Sequence, residues 1–130
     1  MSRRASTQPT ELEIQILRFL WDQGESTVRQ VHNRLTQLRG DDYAYASTVK
    51  MLHVMLEKEL VTRDDTIRPQ VFQAKATEKR TQRSMLKDLV QKVYCGSTAT
   101  VILQALSDRR ISKEELSQIR GMLDQREADE

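Results

Sequence analysis

Three amphipathic segments of helical period, a short pair of strand-like runs and three further helical segments predict a mainly α fold with a small β-hairpin. Composition points the same way. Only 4 Gly and 2 Pro occur in 130 residues, and 5% are aromatic, whereas an all-β sandwich would need many more turn residues and β-branched runs. With 38% hydrophobic and 31% charged residues and a net charge of +2, the chain has the make-up of a soluble globular protein rather than a disordered one. The length suits one domain, or two small units sharing a helix.

The first helix follows Thr10. Leu12, Ile16 and Leu20 form one stripe and Ile14, Leu17 and Trp21 the next, so its apolar arc is wide and the helix should be largely buried. Thr10 and Glu13 have capping-box spacing, and Gly24 is placed to end the helix. Ser26 or Thr27 caps a second helix, with Val28, Val31, Leu35 and Leu38 on one stripe and Arg29, Arg34 and Arg39 opposite. Gly40-Asp41-Asp42 breaks it. The third helix runs from Tyr45 to Lys58, with Thr48, Leu52, Met55 and Leu56 toward the core and Ser47, Lys50 and Val54 on another face.

Leu60 to Asp64 is then strand-like, Asp65 to Gln70 with Pro69 is a turn, and Val71 to Ala74 is a returning strand. Helical stripes resume with Met85, Leu86, Leu89, Val90 and Val93, broken at Gly96. Val101, Ile102, Leu103, Ala105 and Leu106 make an almost unbroken apolar segment. Ser112 and Glu115 repeat the capping-box spacing before a last helix with Leu116, Ile119, Met122 and Leu123 inward. Trp21, Phe72, Met51 and Met55 belong to core-facing patterns.

Three helices and a hairpin is the order of a winged helix-turn-helix, in which the third helix enters the DNA major groove and the hairpin touches flanking backbone. Helices followed by a hairpin also build interaction domains, so a winged-helix protein-interaction module without direct DNA binding is the alternative. Residues 77 to 127 hold too few residues for a rich core of their own, and the apolar face around Val101 to Leu106 is excessive for a lone helix pair. A second copy would cover it, and a tail folded back on its own winged helix is the competing arrangement. The expected division is 1–76 for DNA binding and 77–130 for dimerisation. The interface is expected at Leu86, Leu89, Val90, Val93, Val101, Ile102, Ala105, Leu106, Ile119, Met122 and Leu123.

Ser47 and Lys50 sit where a third helix meets base edges: a hydroxyl serves either base type, and an ammonium reaches guanine acceptors or a phosphate. Ala46 and Val49 suit thymine methyl groups, and His53 a phosphate or base. Thr27, Arg29 and Gln30 open the second helix, whose amides and positive dipole end suit a phosphate. Arg68 is placed like a wing arginine, with Arg63 a weaker candidate. Tyr45 and Tyr43 pack, or bond a phosphate from the helix start, and Arg3 and Arg4 are a possible basic arm. For each, a solvated face or ordinary packing is the plainer reading. Charge placement favours contact through the second helix: residues 26 to 40 hold three arginines and no acid, whereas Glu114 to Glu130 hold six acids against two arginines.

Catalysis is not expected. His32 and His53 are the only histidines, neither stands at catalytic spacing from a carboxylate or nucleophile, and no Gly-rich phosphate loop or HExxH occurs. The carboxylates fall on outer faces. No catalytic residue, cofactor or metal site is anticipated. The single Cys95 excludes an internal disulfide framework, suits a reducing cytoplasmic setting and is expected as a buried structural thiol. Neither a signal-peptide core after the polar start nor a run of about 18 apolar residues is present, so no membrane partner is expected.

The stretches Thr10-Glu11-Leu12-Glu13-Ile14, Leu20-Trp21-Asp22-Gln23-Gly24, Ser26-Thr27-Val28-Arg29-Gln30-Val31, Ala44 to Leu52, Glu57-Lys58-Glu59-Leu60-Val61, Gly96-Ser97 and Ser112 to Leu116 together resemble the penicillinase repressor family, the BlaI/MecI/CopY type. The resemblance spans about residues 10 to 126. It implies a winged-helix DNA-binding domain, a helical dimerisation domain, a double-stranded DNA operator bound by a homodimer, and repression by operator occupancy. Three departures qualify it. Glu59 stands where the family usually has Gly, which implies a turn that is looser or differently closed. The Asn-Phe pair cut in antibiotic-responsive members is matched by Gln104-Ala105, so that cleavage does not carry over and a regulatory protease is left as an unidentified possible partner. Copper sensing through paired Cys-x-Cys motifs is excluded, because Cu(I) takes thiolate ligands and the chain has one cysteine.

Overall fold

The computed structural model describes residues 8–130, and Arg3 and Arg4 lie outside them. In order come α1 (Glu11–Gln23), β1 (Ser26–Thr27), α2 (Val28–Arg39), α3 (Tyr45–Glu57), β2 (Val61–Asp64), β3 (Val71–Ala74), α4 (Glu78–Val93), α5 (Thr98–Asp108) and α6 (Lys113–Ala128). The architecture is a winged helix followed by a helical C-terminal region. The chain divides into two compact units between Met85 and Leu86, inside α4.

In the N-terminal unit, Thr10 caps α1 with the expected reciprocal bonds to Glu13, and Gly24, at φ 80°, closes it with its amide on the Leu20 carbonyl. Thr27, not Ser26, caps α2 in a second reciprocal box with Gln30. Ser26 instead joins Thr27 in a strand that had not been anticipated, so the expected hairpin is part of a three-stranded antiparallel sheet ordered β1-β3-β2. Phe72 on the central strand faces Ser26 on one side and Arg63 on the other. The core is Ile16, Leu17 and Leu20 of α1, Val31 and Leu35 of α2, Leu52 and Met55 of α3, and Val61 and Phe72 of the sheet. Trp21 packs against it and donates Nε1–H to the Ala76 carbonyl at 2.9 Å. Leu38 stays exposed, since the α2 stripe runs past the end of the core.

Two expectations fail in this unit. Not every carboxylate lies on an outer face: Glu13 is 2% exposed, because it occupies the same stripe as Ile16, Leu17 and Leu20. Its Oε1 accepts from the Thr10 amide at 2.8 Å and from Lys58 Nζ at 2.6 Å. Nor is the turn at Glu59 loose or differently closed. Glu59 itself adopts φ 62°, its amide donates to Leu56 O at 3.0 Å, and the Leu60 amide donates to Met55 O at 2.9 Å. That pair of bonds is the Schellman closure a glycine would normally provide.

The C-terminal unit has little interior of its own. Val90 is the one buried residue of α4, and α5 and α6 have none. Val93, Leu103 and Met122 are 65%, 64% and 70% exposed. Capping is nevertheless complete where expected, with Ser112 and Glu115 exchanging bonds at the start of α6. Met122 and Leu123, expected inward, point outward in the single chain because no element of the unit covers that side of α6. Cys95 is also a correction: it is exposed, held at φ 51° beside Gly96 in the turn after α4, where no packing surrounds it.

Candidate nucleic-acid interface

Helix α3 is positioned by what it buries. Thr48, Leu52 and Met55 face the core, which leaves Ala46, Ser47, Lys50, His53 and Val54 exposed on one outer arc, with Val49 half-buried at its margin. Residues three and four apart share a helix face, so Ala46, Lys50 and His53 form one row and Ser47, Lys50 and Val54 another, meeting at Lys50. No ion pair engages Lys50 among the described residues. The cap residue Ala44 offers no side-chain bond, and the first turn carries no acid. The opening amides of α3 therefore keep their partial positive charge.

Beside that end of α3 lies a groove of about 420 Å³ lined by Thr27, Val28, Arg29, Tyr45, Arg68, Pro69 and Gln70. Three separate segments converge there: the start of α2, the start of α3 and the β2–β3 turn. Four of the anticipated residues, Thr27, Arg29, Tyr45 and Arg68, are thus brought together, and no carboxylate lines the space. The Arg29 guanidinium lies over the Tyr45 ring, 4.4 Å from its centroid. Neither Arg29 nor Arg68 is in an ion pair among the described residues. Arg63 differs, since its Nε contacts Asp65 at 2.8 Å. Gln30 is exposed but its side chain is taken: Oε1 accepts from the Thr27 amide at 2.8 Å. Val28 and Arg29, whose amides the Thr27/Gln30 capping box does not take up, are both among the residues that line the groove.

The turn that carries Arg68 is shaped by Asp64, whose carboxyl is held below its ordinary value by the Thr66 hydroxyl and then by the Thr66 amide. An ionised Asp64 therefore favours this turn geometry.

One buried neighbour of Tyr45 is not expected from the sequence. His32 is 8% exposed, and its Nδ1 lies 2.8 Å from Thr48 Oγ1. Its ring meets Tyr45 edge-on at 5.1 Å between centroids and Tyr43 at 6.5 Å. The available signal was position: His32 falls four residues after Val28 and three before Leu35, on the stripe that turns inward. Tyr43 is partly buried against the core, whereas Tyr45 is 40% exposed and lines the groove.

Among the interface positions expected in the second unit, Leu86, Leu89, Val93, Ile102, Ala105, Leu106, Met122 and Leu123 are exposed, and Val101 and Ile119 half-buried. Val90 does not belong with them, because the chain already buries it to 8% exposure and little of its side chain is left to offer. No helix among the described residues is long and apolar enough to cross a membrane, and no group of His, Cys, Asp and Glu among them is arranged to hold a metal ion.

Compared with known families, residues 9–125 match the model of the penicillinase repressor family. No curated protein matches the chain.

Proposed function

The chain belongs to the penicillinase repressor family, and from that premise we propose that it represses transcription by binding double-stranded DNA as a homodimer. In this reading residues 1–76 bind DNA and residues 77–130 dimerise. The observation that carries it is the carboxylate-free groove where Arg29, Tyr45 and Arg68 converge beside the open start of α3. Phosphates would sit against that groove and the first-turn amides, and Ser47 and Lys50 would reach base edges from the outer arc of α3. Thr27, Gln30, Ala46, Val49 and His53 border these contacts. Thr27 and Gln30 act by shaping the start of α2.

The homodimer rests on the C-terminal unit. Fully burying a Leu or Met side chain contributes about 1.5–3 kcal/mol, and this unit leaves Leu103, Met122 and their neighbours uncovered. A second copy would cover the faces of α5 and α6 and hold two α3 helices at a set spacing. In this reading the protein acts in the cytoplasm.

Gel-shift titration of purified protein on duplex DNA across a range of salt tests the proposal. Affinity should fall steeply, with a log–log slope of roughly −0.9 for each phosphate contacted. Absence of a salt-sensitive shift, with a partner protein captured instead, would leave the interaction-module reading.

A further inference from the structure

We infer that His32 is a positioning residue for DNA-phosphate contact, acting through Tyr45 to hold Arg29 at the groove; the inference rests on the DNA-binding reading above. His32 makes no contact with the groove itself and does not line it. Its role follows from a chain of three side chains. The imidazole is buried between α2 and α3, with Nδ1 fixed at 2.8 Å from Thr48 Oγ1. Its ring then meets the Tyr45 ring at 5.1 Å and 77° between planes, an edge-to-face arrangement. The face of Tyr45 carries the Arg29 guanidinium at 4.4 Å.

Tyr45 is the first residue of α3 and 40% exposed, and its ring meets His32 and Arg29, both of α2. Arg29 is a long, exposed side chain with much rotamer freedom to lose on binding. A ring fixed from below removes part of that loss in advance, since a guanidinium stacks on an aromatic face while its N–H groups stay free at the edge for phosphate oxygens. Arg29 and His32 are three residues apart on α2 and share a face. Tyr45 therefore stands between the two on α3, and the arrangement spans both helices. Thr48 sets the plane of the imidazole, and the bond forms with the proton on either atom.

The test is the salt dependence of duplex binding by the full chain, measured on mixed-sequence duplex DNA for wild type and variants. Arg29→Ala should lose about one phosphate contact, lowering the slope by roughly 0.9. His32→Ala should weaken binding about two- to tenfold at moderate salt and lower the slope by less than Arg29→Ala does, since the guanidinium remains but is no longer pre-positioned. The double variant should be no worse than Arg29→Ala alone. His32→Phe keeps a ring against Tyr45 but loses the Thr48 bond, and Thr48→Val keeps the ring but loses the same bond, so both should fall between wild type and His32→Ala. Circular dichroism of His32→Phe and Thr48→Val checks folding should His32→Ala be too unstable to assay. Losses from His32→Ala and Arg29→Ala that simply add in the double variant would overturn the inference, as would a His32→Ala protein that binds duplex as tightly as wild type. A wild-type protein without salt-dependent binding would instead overturn the DNA-binding reading itself.

Discussion

Glu13 and Lys58 meet at 2.6 Å across the N-terminal unit, one on the buried stripe of α1 and the other capping the C-terminal end of α3. The pair ties the C-terminal end of α3 to α1. Because Glu13 is 2% exposed and Lys58 13%, removing one partner strands a charge in a poorly solvated site. Lys58→Ala should cost about 3 kcal/mol or more, and the double change Glu13→Leu with Lys58→Met should recover most of it. Urea denaturation midpoints check both.

Glu59 gives a change of opposite sign. It holds φ 62° within a closed helix end, a conformation that costs a residue with a Cβ about 1 kcal/mol or more. Its exposed ion pair with Lys75, at 3.0 Å, offsets little of that. Glu59→Gly should raise stability by about 1 kcal/mol without altering DNA binding, by thermal melting and gel shift on the same preparations.

These two residues show where the sequence was legible and where it was not. The stripes of α1 and α2, the capping pairs Thr10/Glu13 and Ser112/Glu115, and the strand pair at 61–64 and 71–74 follow from local period and spacing, which side-chain type reveals directly. Strand β1 does not, because two residues have no period and Ser26–Thr27 are ordered by pairing with Val71–Phe72 far along the chain. Glu13 and His32 sit on inward stripes, yet their polar type hid their burial; only the partners Lys58 and Thr48, supplied by other helices, make it affordable. The groove residues Arg29, Tyr45 and Arg68 were each legible as candidates. Their convergence was not, since it depends on how α2, α3 and the β2–β3 turn come together.

Lys50 and Arg68 should separate reading from anchoring. Lys50→Ala should weaken binding by about 1–3 kcal/mol on a preferred sequence and relax the preference, whereas Arg68→Ala should weaken all duplexes alike and lower the salt slope by about one. Both are exposed and unpaired by any ion pair among the described residues, so melting temperature should hardly move. Unchanged binding in both variants would mean that the reading face lies elsewhere.

Leu106→Asp probes the second unit. Leu106 is 36% exposed in the single chain, so a carboxylate there is solvated in a monomer and loses water in the proposed dimer. Sedimentation should show a dimer weakened by about 3 kcal/mol, roughly a hundredfold, with DNA affinity falling alongside. A variant that stays fully dimeric would place the interface off α5.

The most direct test of the central claim is selection of bound duplexes from a random-sequence pool, followed by footprinting of the enriched site. A homodimer presenting two α3 helices predicts a near-palindromic sequence with half-site centres about 10–10.5 bp apart, or a multiple of that spacing. A pool that yields no enriched sequence, or a single half-site protected by a monomer, would contradict the account.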